Sequence, residues 1–102
     1  MLTATIDLRC SEALICLTGE LDIATLPCLE GIVEGLIDAG ASSLAFDCAE
    51  LTFIDWTALR RVASLTRDAA AAGVDLTVHH LRPFTLAVLE VTGLTGVKLG
   101  SA

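Results

Sequence analysis

Ser43–Arg61 reads SLAFDCAELTFIDWTALRR, and the fold is decided there. Leu44-Ala45-Phe46 opens it as a short apolar run, which predicts the start of a strand covered on both faces. A polar break at Asp47–Glu50 follows, then Leu51-Thr52-Phe53-Ile54, then Asp55 and a helical pattern. Asp is a strong N-cap because its carboxylate accepts hydrogen bonds from the first free backbone N–H groups. Asp55 therefore marks the point where an extended segment becomes a helix. Ligands and partners dock at such junctions in open α/β sheets, where the helix N-terminus carries a partial positive charge. Asp55, Trp56 and Thr57 are the first candidates for a working site.

Upstream, residues 2–9 alternate: Leu2, Ala4, Ile6 and Leu8 against Thr3, Thr5, Asp7 and Arg9, a half-exposed strand. Cys10-Ser11-Glu12 reads as a turn and Ala13–Thr18 as a second, more central strand, so the pair predicts an antiparallel hairpin. Gly19-Glu20-Leu21-Asp22 leads into a helix with Thr25 as N-cap and Pro27 in the first turn. Leu29, Ile32, Val33, Leu36 and Ile37 form its inner face; Glu30, Glu34 and Asp38 lie outside, and Gly40 closes it.

Downstream of Asp55 the helix Trp56–Ala72 packs through Leu59, Val62, Ala63, Thr66 and Ala69 or Ala70, with Arg60, Ser64, Arg67 and Asp68 outward. Asp75–Leu81 alternates as a strand, with Leu76, Val78 and His80 opposite Thr77 and His79. Pro83 starts a third helix with Phe84, Val88 and Val91 inward, ending at Gly93, and Val97–Leu99 is a weak last strand. The order β-β-α-β-α-β-α predicts an α/β fold, a mixed four- to five-stranded sheet flanked by helices. No repeat or linker divides residues 1–102, so a single domain is expected.

Composition narrows the function. The formal charge is -7 with six Lys and Arg, and the pI is about 4.5. Nucleic-acid binding needs clustered positive charge, so DNA and RNA are excluded as direct ligands, and an anionic membrane surface is disfavoured. No uncharged apolar stretch approaches the ~18 residues of a membrane span, so no membrane insertion is expected. Asp7 and Arg9 break any signal-peptide pattern, and a cytoplasmic protein is expected. At 54% hydrophobic residues and a mean hydropathy of +0.73, the chain carries more apolar surface than a small domain readily hides. That favours a partner, or self-association as a homodimer.

Cys10, Cys16, Cys28 and Cys48 have neither C-x-x-C spacing nor a His at zinc-ligand distance, which predicts reduced packing residues. Adjacent His79 and His80 point to opposite faces of a strand and do not share an ion easily. There is no Gly-rich phosphate loop, no nucleophile placed beside a His and no metal set. No enzyme activity, metal or cofactor is expected.

Four segments resemble a known family: Leu17-Thr18-Gly19-Glu20-Leu21-Asp22, Leu51–Leu59, Ala72-Gly73-Val74 and Leu89-Glu90-Val91-Thr92-Gly93-Leu94. In this order and spacing the chain resembles a STAS domain, the fold of bacterial anti-sigma factor antagonists and of sulphate-transporter cytoplasmic tails. The resemblance implies a regulatory binding module. In the antagonists a tetrad similar to Asp-Ser-Ser-Gly follows Phe-Ile, and its first Ser is phosphorylated by an anti-sigma factor acting as a kinase. Phosphate there blocks partner binding, and a phosphatase restores it. Asp22, the Asp of Gly-Glu-Leu-Asp, is the second site position that the resemblance implies.

The chain departs from the pattern at the switch. Its tetrad is Asp55-Trp56-Thr57-Ala58, and Trp56, standing where the phosphorylated Ser would be, has no hydroxyl. Thr57 holds the second hydroxyl position, about 100° further round the helix. Asp22, Thr25, Asp55, Trp56, Thr57 and Arg60 make up the candidate partner-binding set, with Thr57 as the candidate phosphorylation site. Asp55 and Asp22 also have plainer readings, as a helix cap and a turn residue. Trp56 is either a core filler or an interface anchor, and the enrichment of Trp in binding hot spots favours the anchor.

Two functions remain open. One is a cytoplasmic regulator like an anti-sigma factor antagonist, switching partners with an anti-sigma factor of serine-kinase type. The other is a structural subunit clamped onto a larger assembly, such as a stressosome-like scaffold or the ATPase of a lipid ABC transporter.

Overall fold

The computed structural model describes residues 1–100. Its elements run β1 (Leu2–Arg9), β2 (Glu12–Leu21), α1 (Leu26–Asp38), β3 (Ser43–Ile54), α2 (Trp56–Ala71), β4 (Asp75–His79) and α3 (Pro83–Thr92). The sheet order is β1-β2-β3-β4. β1 pairs antiparallel with β2, whereas β2–β3 and β3–β4 are parallel, each crossover carrying one helix. The expected mixed sheet and element order are therefore present. In place of a fifth strand there is a bridge from Leu99 to Val78, held by the Val78 N–H to the Lys98 carbonyl at 2.8 Å and the Gly100 N–H to the Val78 carbonyl at 2.9 Å.

The core lies on one face of the sheet. Ile15, Leu17 and Leu21 of β2, Leu44 and Phe46 of β3 and Leu76 of β4 are fully buried with Leu29 of α1. From α2, Ala58, Val62, Leu65 and Ala69 join the same cluster. On the other face Leu14 is exposed, and Cys16, Ala45, Asp47, Thr77 and His79 are only half-buried. The expectation that Leu44-Ala45-Phe46 would be covered on both faces is thus corrected. Burial alternates along the run because the helices pack on one side.

No polar break interrupts β3, which runs twelve residues through Asp47–Glu50 with Cys48 buried within it. Asp47 is accommodated because its carboxylate accepts from the Ala49 N–H at 3.1 Å and bonds His80 Nδ1 at 3.0 Å. Those two bonds, the histidine's first, hold the Asp47 carboxyl below its usual value. β4 ends at His79, two residues earlier than expected. His80 adopts a positive φ of 60° and turns outward, so it is not part of the inner face.

Two further expectations fail. Phe84 and Val91 of α3 are exposed at 80% and 86%, and only Thr85 of that helix is buried. The cysteines are free, but Cys48 alone is buried; Cys10 and Cys28 are exposed. Burial, with the Asp47 charge behind it, pushes the Cys48 thiol up to about 12, so it is the inert member of the set.

Candidate functional site

The site grows from the carboxyl ends of two adjacent parallel strands. Leu21 of β2 and Ile54 of β3 stand in register, and the Asp55 N–H donates to the Leu21 carbonyl at 3.1 Å. Asp22 and Asp55, one residue beyond each strand, are thereby set side by side at the carboxyl end of the two inner strands. β2 reaches this point through a register irregularity between Gly19 and Glu20. Gly19 has a φ of +105°, and a Cβ there would come within 2.3 Å of the Met1 carbonyl oxygen. That explains the glycine of Gly-Glu-Leu-Asp in backbone terms.

Asp22 is held in a local turn. Its Oδ1 accepts from the Ala24 and Thr25 N–H groups, each at 3.0 Å, and lies 3.2 Å from the Thr25 hydroxyl. The Thr25 N–H above all holds the Asp22 carboxyl below its ordinary value. Thr25 stands at the N-cap position of α1, but its side chain does not cap the helix. Its hydroxyl donates to the Glu20 carbonyl at 2.9 Å and accepts from the Asp22 N–H at 3.0 Å. The expected capping role of Thr25 is therefore corrected: Asp22 and Thr25 bond reciprocally and fix the chain between β2 and α1.

Asp55 caps α2 as expected. Its backbone is extended and its Oδ1 accepts from the Ala58 N–H at 2.8 Å. With the carboxylate so occupied, the first helical residues, Trp56 and Thr57, face outward; both are exposed, Trp56 at 42%. Trp56 is therefore no core filler. It lines an apolar groove of about 280 Å³ with Phe53, Leu59, Phe84 and Val88, in which Phe53 is 50% and Phe84 80% exposed.

Thr57 and Arg60 open in another direction. They line a second groove, of about 390 Å³, with Leu26, Arg61, Ser64, Arg67 and Leu94. Arg61 there is a structural tie between helices, its Nε bonding Glu30 Oε2 of α1 at 2.8 Å. The six candidates thus fall into three groups: the Asp22–Thr25 turn, the Asp55 cap with Trp56 on an apolar groove, and Thr57 with Arg60 on a basic one. Sequence reasoning missed Phe53 and Phe84 as companions of Trp56. A clue existed for Phe53, an aromatic three residues before Trp56 on a strand end; none existed for Phe84.

The arrangement can bind, through exposed aromatics beside a helix N-terminus. Among the described residues, no group of three or more His, Cys, Asp or Glu could hold a metal ion. No helix among them is long and apolar enough to cross a membrane.

Three comparisons bear on what this geometry is. The chain resembles a crystal structure of an anti-sigma factor antagonist from Mycobacterium paratuberculosis at 19% identity and a TM-score of 0.76, covering 91% of this chain and 79% of that one. It resembles the anti-sigma factor antagonist SpoIIAA in its unphosphorylated form at 19% identity and a TM-score of 0.74, covering 98% and 89%. The Bacillus cell fate determinant SpoIIAA in its phosphorylated form follows at 19% identity and 0.72, covering 98% and 92%. At such identities the likeness shows the fold. Among curated protein sequences nothing matches. The family model described as "Mlab, STAS domain" matches residues 4–100. That match spans nearly the whole chain and takes in both the Gly-Glu-Leu-Asp turn and the capped helix: the chain belongs to the STAS family.

Proposed function

We propose that this chain is a cytoplasmic regulatory protein-binding module of the anti-sigma factor antagonist kind, acting as a single domain over residues 1–102 and not as an enzyme. It docks an anti-sigma factor of serine-kinase type through the start of α2, and needs no cofactor, nucleic acid or membrane insertion. The observation that carries this reading is Trp56. The first helical residue after the Asp55 cap is an indole 42% exposed beside Phe53 and Phe84, an anchor without a cover. Asp22, Thr25 and Asp55 hold the backbone on which that anchor stands, and Thr57 and Arg60 flank it.

In this reading the usual phosphoserine switch is absent, because position 56 offers no hydroxyl. Thr57 is exposed at the second helical position, where the free N–H groups and the helix dipole favour a phosphate. Incubation with the purified cognate kinase and ATP, read by peptide mass spectrometry, is expected to leave Trp56 unmodified and to map any phosphate to Thr57. Stoichiometric phosphate at Ser64 or Thr52 would place the switch elsewhere.

The second reading, a structural subunit of a larger assembly such as a stressosome-like scaffold or a lipid ABC transporter, is favoured by the same substitution. A permanent clamp has no need of a phosphorylatable residue, and Trp56 makes the contact harder to release. An ABC ATPase, rather than a kinase, co-purifying with the chain would select it.

A further inference from the structure

Only six Lys and Arg serve a chain of net charge -7, and three of them, Arg60, Arg61 and Arg67, line one groove. Arg61 is committed to Glu30 at 2.8 Å and stands 3.7 Å from Asp68. Arg60 and Arg67 have no carboxylate partner among the described residues; Arg67 donates only to the Thr95 carbonyl, at 3.4 Å. Thr57, Arg60, Ser64 and Arg67 are spaced three, four and three residues apart on α2, which sets them in one stripe along the helix. Leu26, at the start of α1, and Leu94, after α3, border it with apolar surface. The stripe contains no acidic residue, while the rest of the molecule is more negative than the whole.

We infer that this stripe receives an acidic amphipathic helix of the partner, with carboxylates about seven residues apart and an apolar seam between them. The match is geometric and electrostatic. Arg60 and Arg67 are seven residues apart, about 10.5 Å along a helix axis, the span between carboxylates two turns apart on a facing helix. An acidic segment is repelled over the rest of this surface, so the two free guanidinium groups set where it lands and in which register. The inference rests on reading the start of α2 as a partner-docking face, and it names the chemistry of what docks beside Trp56.

The probe is a fluorescein-labelled helical peptide of roughly 18 residues, about 27 Å long, capped at both ends. It carries glutamates seven apart with leucines between; a control carries lysines at the glutamate positions. Anisotropy titration of the full chain is expected to show binding of the acidic peptide alone, weakened as salt is raised. The double variant Arg60→Gln/Arg67→Gln should bind it about tenfold more weakly while melting close to the wild-type temperature, since both residues are exposed and Arg67 has only its long bond to the Thr95 carbonyl to lose. Equal binding of the two peptides overturns the inference, as does failure of the acidic one to bind or an unchanged affinity in the double variant. So does preferential binding of inorganic phosphate, ATP or a single-stranded oligonucleotide. A failure of the Trp56 docking face shows separately, as undiminished partner binding by Trp56→Ser, which the peptide titration does not read.

Discussion

Trp56→Ser is expected to weaken binding of the protein partner by more than about 2 kcal/mol, roughly thirtyfold in Kd, with little change in melting temperature. A fully covered indole removes up to about 200 Å² from contact with water, which at about 25 cal/mol per Å² contributes several kcal/mol before ordering costs. In the free chain Trp56 is 42% exposed, so a substantial share of that area is still available to a partner. The fold itself loses little, because the Asp55 cap and the buried Ala58 and Leu59 that anchor the first turn are untouched. Isothermal titration with the partner, on the proposed reading an anti-sigma kinase, alongside thermal melting, separates the two effects. On that reading the variant also places a hydroxyl at position 56, so the same kinase should gain a substrate there. A large fall in melting temperature with affinity intact would instead assign Trp56 to the core.

The second large effect concerns stability. Phe46 is 1% exposed in the first half of β3, paired with Ile15 of β2 and Val78 of β4. Phe46→Ala removes a ring at the junction of three strands and leaves a cavity that the flanking strands cannot close. The expected loss is about 3–5 kcal/mol, at least a fifth of the roughly 5–15 kcal/mol typical of such domains. Urea unfolding should show the midpoint falling with an unchanged slope. A loss under about 1 kcal/mol, well below that range, would mean that the helix-covered face of the sheet does not hold the core.

The element order was legible because two stretches carry a clear period and one residue marks a junction. Residues 2–9 alternate, 56–69 recur at helical spacing, and Asp55 stands between a strand and a helix as an extended cap. What failed to show in the sequence has physical causes. Asp47 reads as the start of a break, yet the Ala49 N–H and His80 satisfy its carboxylate within the strand. Helix α3 spreads its apolar residues all round its circumference, with only Thr85, Glu90 and Thr92 polar, so its spacing gives no single polar face to fix its rotation, and Phe84 and Val91 lie outward. Thr25 turns its hydroxyl to Asp22 and Glu20 instead of capping α1, because both residue types satisfy turns and only the backbone decides which oxygen faces which N–H.

The candidate site was legible as a location and not as a surface. Asp55, Trp56 and Thr57 follow from the strand-to-helix junction, and Asp22 from the parallel neighbour strand that brings it alongside. The surroundings come from distant parts of the chain. Phe84 joins Trp56 across the start of α3, and Leu94 joins Arg60 and Arg67 from beyond its end. Such contacts depend on tertiary packing that no local period encodes.

The docking face can be read in the source cell by photo-crosslinking from a benzoyl-phenylalanine placed at position 56, with a matched probe at Thr5 on the uncovered face of the sheet. If the start of α2 is the docking face of an antagonist-like regulator, position 56 should cross-link in high yield to one protein, a serine kinase of the anti-sigma type, and Thr5 should not. Cross-links from Thr5 with none from position 56, or a partner at position 56 that is an ABC ATPase, would contradict it.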